Sequence, residues 1–131
     1  MIIISNELRI LNLVNYQEGT SKKQGTIYCL NYNNCTLGDH FTRDTVKYSN
    51  LEPILLTEEW LLKFGFQFYF IGNGDYKSKQ WYFEDFTLCG FNYYYNLEIN
   101  YIHQLQNLFF AIKGKELIFN YEDNKENIQM D

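Results

Sequence analysis

The stretch at residues 91–114 constrains the fold most strongly, because a strand period and a helix period follow each other within it. Apolar side chains first recur at every second position, as on a β-strand with one buried face, at Phe91, Tyr93, Tyr95, Leu97, Ile99 and Tyr101. They then recur at helical spacing, at Ile102, Leu105, Leu108, Phe109 and Ile112, until Gly114 ends the pattern. We therefore expect a strand with Tyr93 and Tyr95 in the core and Tyr94 on its polar face, followed by a helix capped by Asn100.

Residues 51–66 (LEPILLTEEWLLKFGF) carry the start and stop signals of a shorter helix. Thr57 can cap its first turn, and Gly65 can adopt the left-handed conformation that closes it. The next two residues after Thr57 are glutamates, which are favoured at the positive end of a helix. The pattern predicts a helix of about two turns with one apolar flank against a sheet.

Three segments in the first third of the chain have the composition of short strands. Residues 7–16 and 26–32 are predicted to pair across a polar loop, and residues 33–39 to end that pairing. A further short strand is expected near residues 45–48. These segments predict a small antiparallel sheet or barrel.

Three segments in the second half of the chain also have strand-like patterns. Residues 66–71 and 80–88 are predicted to form a hairpin with a polar tip, which a tight turn at Cys89 and Gly90 follows. Another strand is predicted at residues 115–121.

Aromatic residues make up 19% of the 131 residues, and their rings favour the half-buried surfaces of sheets. Together these signals predict an α+β fold with antiparallel sheets or a small barrel, one short middle helix and one longer C-terminal helix. We expect residues 1–121 to form a single domain and residues 122–131 to form an acidic flexible tail.

The charge distribution disfavours a protein that grips nucleic acid through phosphates. The formal net charge is -5, and the segment 122–131 contributes -3 of it, with four acidic residues and one lysine. Three small lysine clusters remain as candidates for a basic face: Lys22 with Lys23, Lys77 with Lys79, and Lys113 with Lys115. The charge therefore disfavours direct binding to nucleic acid, which normally requires a larger basic face.

The N-terminal residues MIIISNELR lack a basic region followed by a long apolar segment, which a secretion signal would require. No stretch approaches the roughly 20 apolar residues of a membrane span. An odd number of cysteines, three, fits free thiols better than a disulfide framework. We expect a cytoplasmic protein without membrane association.

The residues with reactive side chains do not form a motif. Cys29, Cys35 and His40 lack the close pair that zinc sites use, and buried thiols are the better interpretation. Cys89 and His103 have no spacing that brings a nucleophile to a base, and we expect His103 to be solvated on the polar flank of its helix.

Glu84 and Asp85 are adjacent in a predicted strand, so their carboxylates should point to opposite faces and cannot form an acid/base pair. We therefore predict no catalytic residue, no metal and no cofactor, and a protein that is not an enzyme.

One flank of the C-terminal helix combines polar groups with an aromatic ring. His103, Gln106, Asn107 and Phe110 share this flank, apart from the apolar stripe. Either Phe110 packs on a neighbouring strand while the polar groups face water, or the flank binds a protein. Tyr94 and Tyr76 are further candidates for exposed contacts with a protein partner.

Three blocks resemble recurrent blocks in small phage, prophage and mobile-element proteins of bacteria. They are ELRILN at residues 7–12, LEPILLTEEWLLKFGF at residues 51–66 and YIHQLQNLFFAIKGKEL at residues 101–117. In that group the first block usually reads ELRIGN, so Leu11 stands where those proteins have a glycine. The resemblance implies a genomic setting in which small acidic proteins inhibit host defence, as anti-CRISPR proteins do.

The resemblance leads to the hypothesis of an inhibitor that binds a larger bacterial protein, such as a CRISPR effector ribonucleoprotein, by stoichiometric occlusion. The alternative hypothesis is a small nucleic-acid or nucleotide-binding β-domain, in which the lysine clusters hold phosphate and tyrosines stack on bases.

Overall fold

The structure, a computed structural model, describes residues 7–39, 41–75 and 77–119 of the chain. Within those residues the chain forms two antiparallel sheets of five strands each, a short middle helix and a longer C-terminal helix. This arrangement confirms the predicted α+β class. Residues 122–131, for which we predict an acidic tail, lie outside the described residues.

The first sheet takes up the N-terminal part of the chain. Its strands are β1 (Leu13–Glu18), β2 (Ser21–Leu30), β3 (Asn34–Gly38), β4 (Arg43–Lys47) and β5 (Leu51–Glu52), in the order β4-β3-β2-β1-β5. The predicted pairing of the first two strands is confirmed, with Leu13 opposite Thr26. The predicted bounds are wrong, because residues 7–12 precede β1 and most of the predicted loop between residues 16 and 26 lies in β1 and β2. The prediction that residues 33–39 end the pairing is wrong, because β3 returns along β2 after a tight turn.

The first sheet is strongly curled. Tyr16 on β1 donates a hydrogen bond from its hydroxyl to the Asp44 carboxylate on β4 at 2.7 Å. In a flat sheet three strand spacings of about 4.8 Å would separate those strands, which is too far for the two side chains to meet. The Tyr16 ring also crosses Gly25, where an added Cβ would lie 3.0 Å from a ring carbon and 2.9 Å from the Gly38 nitrogen. Glycine is therefore required at residue 25 by close packing.

The second sheet follows the short helix. Its strands are β6 (Gln67–Ile71), β7 (Ser78–Phe83), β8 (Phe86–Cys89), β9 (Tyr93–Tyr94) and β10 (Leu97–Glu98), in the order β10-β9-β8-β7-β6. The predicted hairpin is confirmed by β6 and β7, with Gln67 opposite Tyr82 and Ile71 opposite Ser78. Residues 80–88 are not one strand, however, because Glu84 has a φ of 55° and the chain turns there. Glu84 and Asp85 thus lie in a turn and not within a strand.

The continuous strand predicted at residues 91–101 is wrong. Tyr95 has a φ of 56°, and the chain reverses there, so that Leu97 lies opposite Tyr94 and Glu98 opposite Tyr93. The reversal exchanges the predicted environments of the tyrosines. Tyr94 is half-buried, whereas Tyr93 and Tyr95 are 40% and 81% exposed. A positive φ at a tyrosine is uncommon, and the sequence contains no signal for it.

Both predicted end signals of the short helix α1 (Glu58–Phe64) are confirmed. The hydroxyl of Thr57 accepts a hydrogen bond from the backbone N–H of Trp60 at 3.3 Å, which satisfies one of the free donors of the first turn. Gly65 closes the helix with a φ of 99°, a conformation that costs glycine little.

The longer helix α2 (Ile102–Lys113) ends before Gly114, as predicted, where φ is 72°. The predicted cap at Asn100 is wrong, because the N-cap is Tyr101. The Gln104 side chain accepts hydrogen bonds from the backbone N–H groups of both residues, at 3.1 and 3.2 Å. Residues 115–119 are not in a strand, so the strand predicted at 115–121 is wrong over its described part.

Two hydrophobic cores meet at β1. The core of the first sheet contains Leu8, Val14, Tyr16, Ile27, Cys35, Leu37, Val46 and Leu51. The larger core, between the second sheet and the helices, includes Leu13, Leu61, Trp81, Phe86, Leu105 and Phe109. Leu13 and Val14 serve different cores because successive strand residues point to opposite faces. Among the described residues, no helix combines the length and the apolar character needed to cross a bilayer.

Candidate protein-binding surface

The binding face predicted along α2 is largely internal. His103 and Gln106 are each only 1% exposed, and Asn107 is half-buried, so the prediction of a solvated polar flank is wrong. Phe110 remains 39% exposed. The polar side chains of this flank face residues 7–13, the segment that leads into β1.

Gln106 joins three separate parts of the backbone. Its Oε1 accepts a hydrogen bond from the N–H of Leu13 at 2.8 Å, and its Nε2 donates to the carbonyls of Leu11 at 3.1 Å and Leu117 at 3.0 Å. A buried amide with all these bonds satisfied holds α2, β1 and the segment after the helix in one arrangement. Its role is therefore internal, within the polar flank that the helical spacing predicts.

Asn107 and Phe110 are held by the same N-terminal segment. Asn107 donates from its amide to the carbonyl of Glu7 at 2.8 Å and accepts from the amide of Asn12 at 2.9 Å. The Arg9 guanidinium lies 3.9 Å from the centre of the Phe110 ring and forms an ion pair with Glu116 at 2.5 Å. Arg9 therefore covers one side of the Phe110 ring, and the exposed 39% of Phe110 lies at the margin of this contact.

His103 lies at a cleft lined also by Glu7, Arg9, Gln104 and Asn107. Within the described part of the chain neither ring nitrogen has a hydrogen-bond partner, and Nε2 lies 3.5 Å from the Glu7 carboxylate. Burial lowers the pKa of the imidazole, and the carboxylate of Glu7 opposes this effect only in part. His103 is consequently a buried, neutral side chain near pH 7.

Of the two remaining candidates, the structure describes only Tyr94. Tyr94 stacks on Phe86, with ring centres 5.1 Å apart and planes at 10°, and its ring centre lies 4.8 Å from that of Tyr95. Tyr76 lies outside the described residues. The structure therefore brings together four of the predicted residues on α2, but as an internal contact with Phe110 at its margin.

A different surface exposes apolar side chains in the described residues. Four successive residues of β6, Phe68, Tyr69, Phe70 and Ile71, are between 42% and 58% exposed, and we call them the β6 surface. Phe68 and Phe70 lie on one face of the sheet, and Tyr69 and Ile71 on the other. Contiguous apolar side chains of this kind mark interaction sites more often than scattered ones do.

The rings of the β6 surface are held in place by β7. Phe68 packs on Trp81 with ring centres 4.9 Å apart, and the Lys79 ammonium lies 4.4 Å from the centre of the Phe68 ring. On the other face, Tyr69 packs on Tyr82 at 5.6 Å, and the Tyr82 hydroxyl donates to the Gln67 side chain at 2.7 Å. These contacts restrict the rings before any partner arrives, which lowers the entropic cost of binding.

The sequence does not predict the β6 surface. Its apolar and uncharged residues, QFYFI, fit a buried strand as well as an exposed one. What exposes them is the position of β6 at the end of the sheet, with β7 as its sheet neighbour. No signal within this run distinguishes the two cases, because an uncharged apolar run is equally typical of a central strand.

The thiols are dispersed. Cys35 is buried, and burial raises its thiol pKa to about 11, whereas Cys29 and Cys89 are exposed. The expectation of buried thiols thus holds for Cys35 and is wrong for Cys29. Within residues 7–39, 41–75 and 77–119 no three side chains of His, Cys, Asp or Glu gather as metal ligands. His40, the third member of the zinc set considered above, lies outside the described residues.

Comparison with known proteins identifies no relative, since the chain matches no protein-family model, no curated protein and no solved structure. The fold and the surface therefore define the class of protein: an α+β protein of two antiparallel sheets with an exposed aromatic strand at one sheet edge.

Proposed function

We propose that this chain is a binding protein of a phage or mobile element, and that it inhibits a larger bacterial protein by stoichiometric occlusion. The target class is a defence effector in the host cytoplasm, such as an RNA-guided CRISPR nuclease, and the chain performs no reaction itself. The β6 surface is the observation that supports a protein-binding function. The resemblance of three sequence blocks to phage and mobile-element proteins supports the setting.

The β6 surface has the properties of the centre of a protein interface. Aromatic side chains dominate the energy of many interfaces. Phe68 is already packed on Trp81 and Tyr69 on Tyr82, and the Phe70 ring lies 5.9 Å from the Phe68 ring. Phe70 is the most exposed of the four residues, at 58%. We expect it to be the main anchor, with Phe68 and Tyr69 beside it on the two faces.

The lysine clusters favour a protein partner over nucleic acid. A lysine of each cluster lies against a carboxylate: Lys23 at 3.4 Å from Asp44, Lys79 at 3.2 Å from Glu58, Lys115 at 2.6 Å from Glu84, and Lys113 beside Asp85. Paired lysines offer less positive potential to phosphate groups. The half-buried Tyr94, stacked on Phe86, also presents little ring surface to a base.

The proposal is tested by titrating the chain into purified single-protein RNA-guided nucleases that carry guide and target. Cleavage should fall in proportion to the added chain and cease near one chain per nuclease, as mass action requires for a tight complex. Phe70→Asp should weaken inhibition by at least about tenfold, because a charge would be buried in the interface. Tyr32→Asp, at a residue that is 95% exposed and remote from β6 in sequence, is the matched control.

Full cleavage in the presence of excess chain would contradict inhibition of this nuclease class. A mobility-shift titration with short RNA and DNA at two salt concentrations separates the nucleic-acid alternative. Binding that weakens steeply with salt would favour that alternative.

A further inference from the structure

The outer edge of β6 is open to pairing with another strand. In an antiparallel ladder alternate residues direct both their N–H and C=O groups away from the neighbouring strand. β6 ends its sheet, so in the described part of the chain these groups face no further strand. Soluble proteins usually protect such edges with charged residues, proline or a bulge. The five residues of β6, QFYFI, include neither a charge nor a proline, and their register with β7 has no bulge.

The side-chain pattern of β6 is symmetric about Tyr69, with a phenylalanine on each side. We propose that β6 pairs with β6 of a second copy of this chain, antiparallel and around a two-fold axis at Tyr69. In this register Tyr69 lies opposite its own copy, Phe68 lies opposite Phe70 of the second copy, and Gln67 lies opposite Ile71 of the second copy. The second sheet of one copy and the second sheet of the other copy, each of five strands, then form one continuous sheet of ten strands.

This register is complementary on both faces. On one face Phe68 lies between Trp81 of its own copy and Phe70 of the second copy, so that three rings form a row. The two-fold axis generates an equivalent row. On the other face the two Tyr69 rings meet at the axis. Lys79 lies opposite Phe70 on β7, so three strand spacings, about 14 Å, separate the backbones of the two Lys79 residues. Each Lys79 ammonium also lies 3.2 Å from the Glu58 carboxylate of its own copy, which reduces the repulsion between the two lysines.

The exposed area predicts a reversible dimer. Four side chains that are about half exposed, at 150–250 Å² for an aromatic residue, amount to roughly 400 Å² on each copy. Stable dimers bury about 800 Å² on each partner, so an edge contact of this size is weak. A weak dimer covers the β6 surface and releases it to a partner that binds more tightly, a step that rests on the proposed function.

The first test uses the unmodified protein alone, in sedimentation velocity at concentrations from about 10 µM to about 1 mM. We expect the sedimentation coefficient to rise from the monomer value towards the dimer value across this range. A monomer at every concentration would overturn the proposal. This result does not depend on any target, so failure of the dimer and failure of the inhibitor function are distinguishable.

The second test is a charge exchange at the two-fold axis. Tyr69→Lys and Tyr69→Glu each place like charges opposite each other, so both variants should remain monomeric. An equimolar mixture should form heterodimers again, which also demonstrates that both variants are folded. Tyr93→Lys, at a similarly exposed tyrosine of the same sheet, should dimerise as the unmodified chain does. Dimers of either single variant, or a mixture that stays monomeric, would overturn the register.

If circular dichroism shows that a charged residue at this position unfolds the chain, a cysteine replaces it. Tyr69→Cys in a background with Cys29→Ser and Cys89→Ser should form a disulfide-linked dimer under mild oxidation, because residues opposite each other have Cβ atoms about 4.5–5.5 Å apart. Tyr93→Cys in the same background is the control and should remain unlinked. Equal linkage of both variants, or none of Tyr69→Cys, would overturn the proposal.

Discussion

Leu11 adopts a backbone conformation that L side chains rarely take. Its φ is 78°. The turn is fixed on both sides, because the N–H of Leu11 donates to the carbonyl of Ile27 at 2.7 Å and its carbonyl accepts from Gln106 at 3.1 Å. The left-handed conformation costs a residue with a Cβ about 1–2 kcal/mol, and the hydrogen bonds offset this cost.

This strain predicts the order of stability of two variants. Leu11→Gly and Leu11→Ala both remove the side chain, but only the glycine removes the backbone penalty. We expect the free energy of unfolding of Leu11→Gly to exceed that of Leu11→Ala by about 1 kcal/mol, measured by urea denaturation. A more stable alanine variant would contradict the left-handed conformation.

His103 predicts a loss of stability on mild acidification. Burial holds the pKa of the folded-state imidazole below the ordinary value of 6.5, so the unfolded chain takes up a proton first as the pH falls. The free energy of unfolding is therefore unaffected by protonation of His103 above about pH 6.5. It decreases as the pH falls from 6.5 towards the lower pKa of the folded-state imidazole. Urea denaturation at about pH 7.5 and about pH 5.5 should show lower stability at the acidic value, and a smaller decrease for His103→Leu.

Other groups act in a different pH range. The pKa values of Asp44 and Asp85 are lowered from 3.8, mainly by hydrogen bonds with Tyr16 and Lys113 respectively. The stability that these two carboxylates contribute is therefore lost only as the pH falls below 3.8. His40→Gln is the control for the second histidine. A decrease that His103→Leu leaves unchanged would show that another group titrates.

Elements defined by local interactions were predictable from the sequence, and those defined by distant contacts were not. Thr57, Gly65 and Gly114 act on backbone groups a few residues away, so α1 and the end of α2 follow from their neighbours. By contrast, Gln106 bonds Leu13, which is 93 positions away, and no spacing on the helix reveals that contact. The candidate surface on β6 likewise depends on sheet order, which a single sequence does not encode locally.

The contact of α2 with β1 predicts a large effect at Gln106. Gln106→Leu would leave the N–H of Leu13 and the carbonyls of Leu11 and Leu117 without their partner in the interior. We expect a loss of about 3 kcal/mol or more in the free energy of unfolding, since each buried unpaired group costs about 1–3 kcal/mol. Thermal or urea denaturation measures it.

Gln17→Leu is the matched control, because the amide of Gln17 donates to the carbonyl of Gly19 in an exposed turn. Its effect should stay within about 0.5 kcal/mol. Equal losses in the two variants would show that Gln106 does not hold the elements together.

In the molecule as a whole, the two sheets depend on each other through β1. Leu13 fills the core shared with the helices, while Val14 fills the core of the first sheet. Gln106 adds a polar connection at the same place, and Arg9 with Glu116 adds an ion pair between the N-terminal segment and the segment after α2. β1 cannot leave the first sheet without exposing apolar side chains of both cores.

This shared strand predicts that the two sheets unfold as one cooperative unit. Leu13→Ala removes apolar atoms from the larger core alone and should cost about 2–5 kcal/mol. We expect hydrogen exchange of amides in both sheets to show the same loss of protection, at Ile27 and Leu37 in the first and at Trp81 and Leu88 in the second. Tyr32→Ala, at an exposed turn, should change neither set. If the first sheet cannot stay folded without the second, a substitution in the larger core lowers the protection of both sheets equally. A loss confined to the second sheet would show that the first sheet is stable alone.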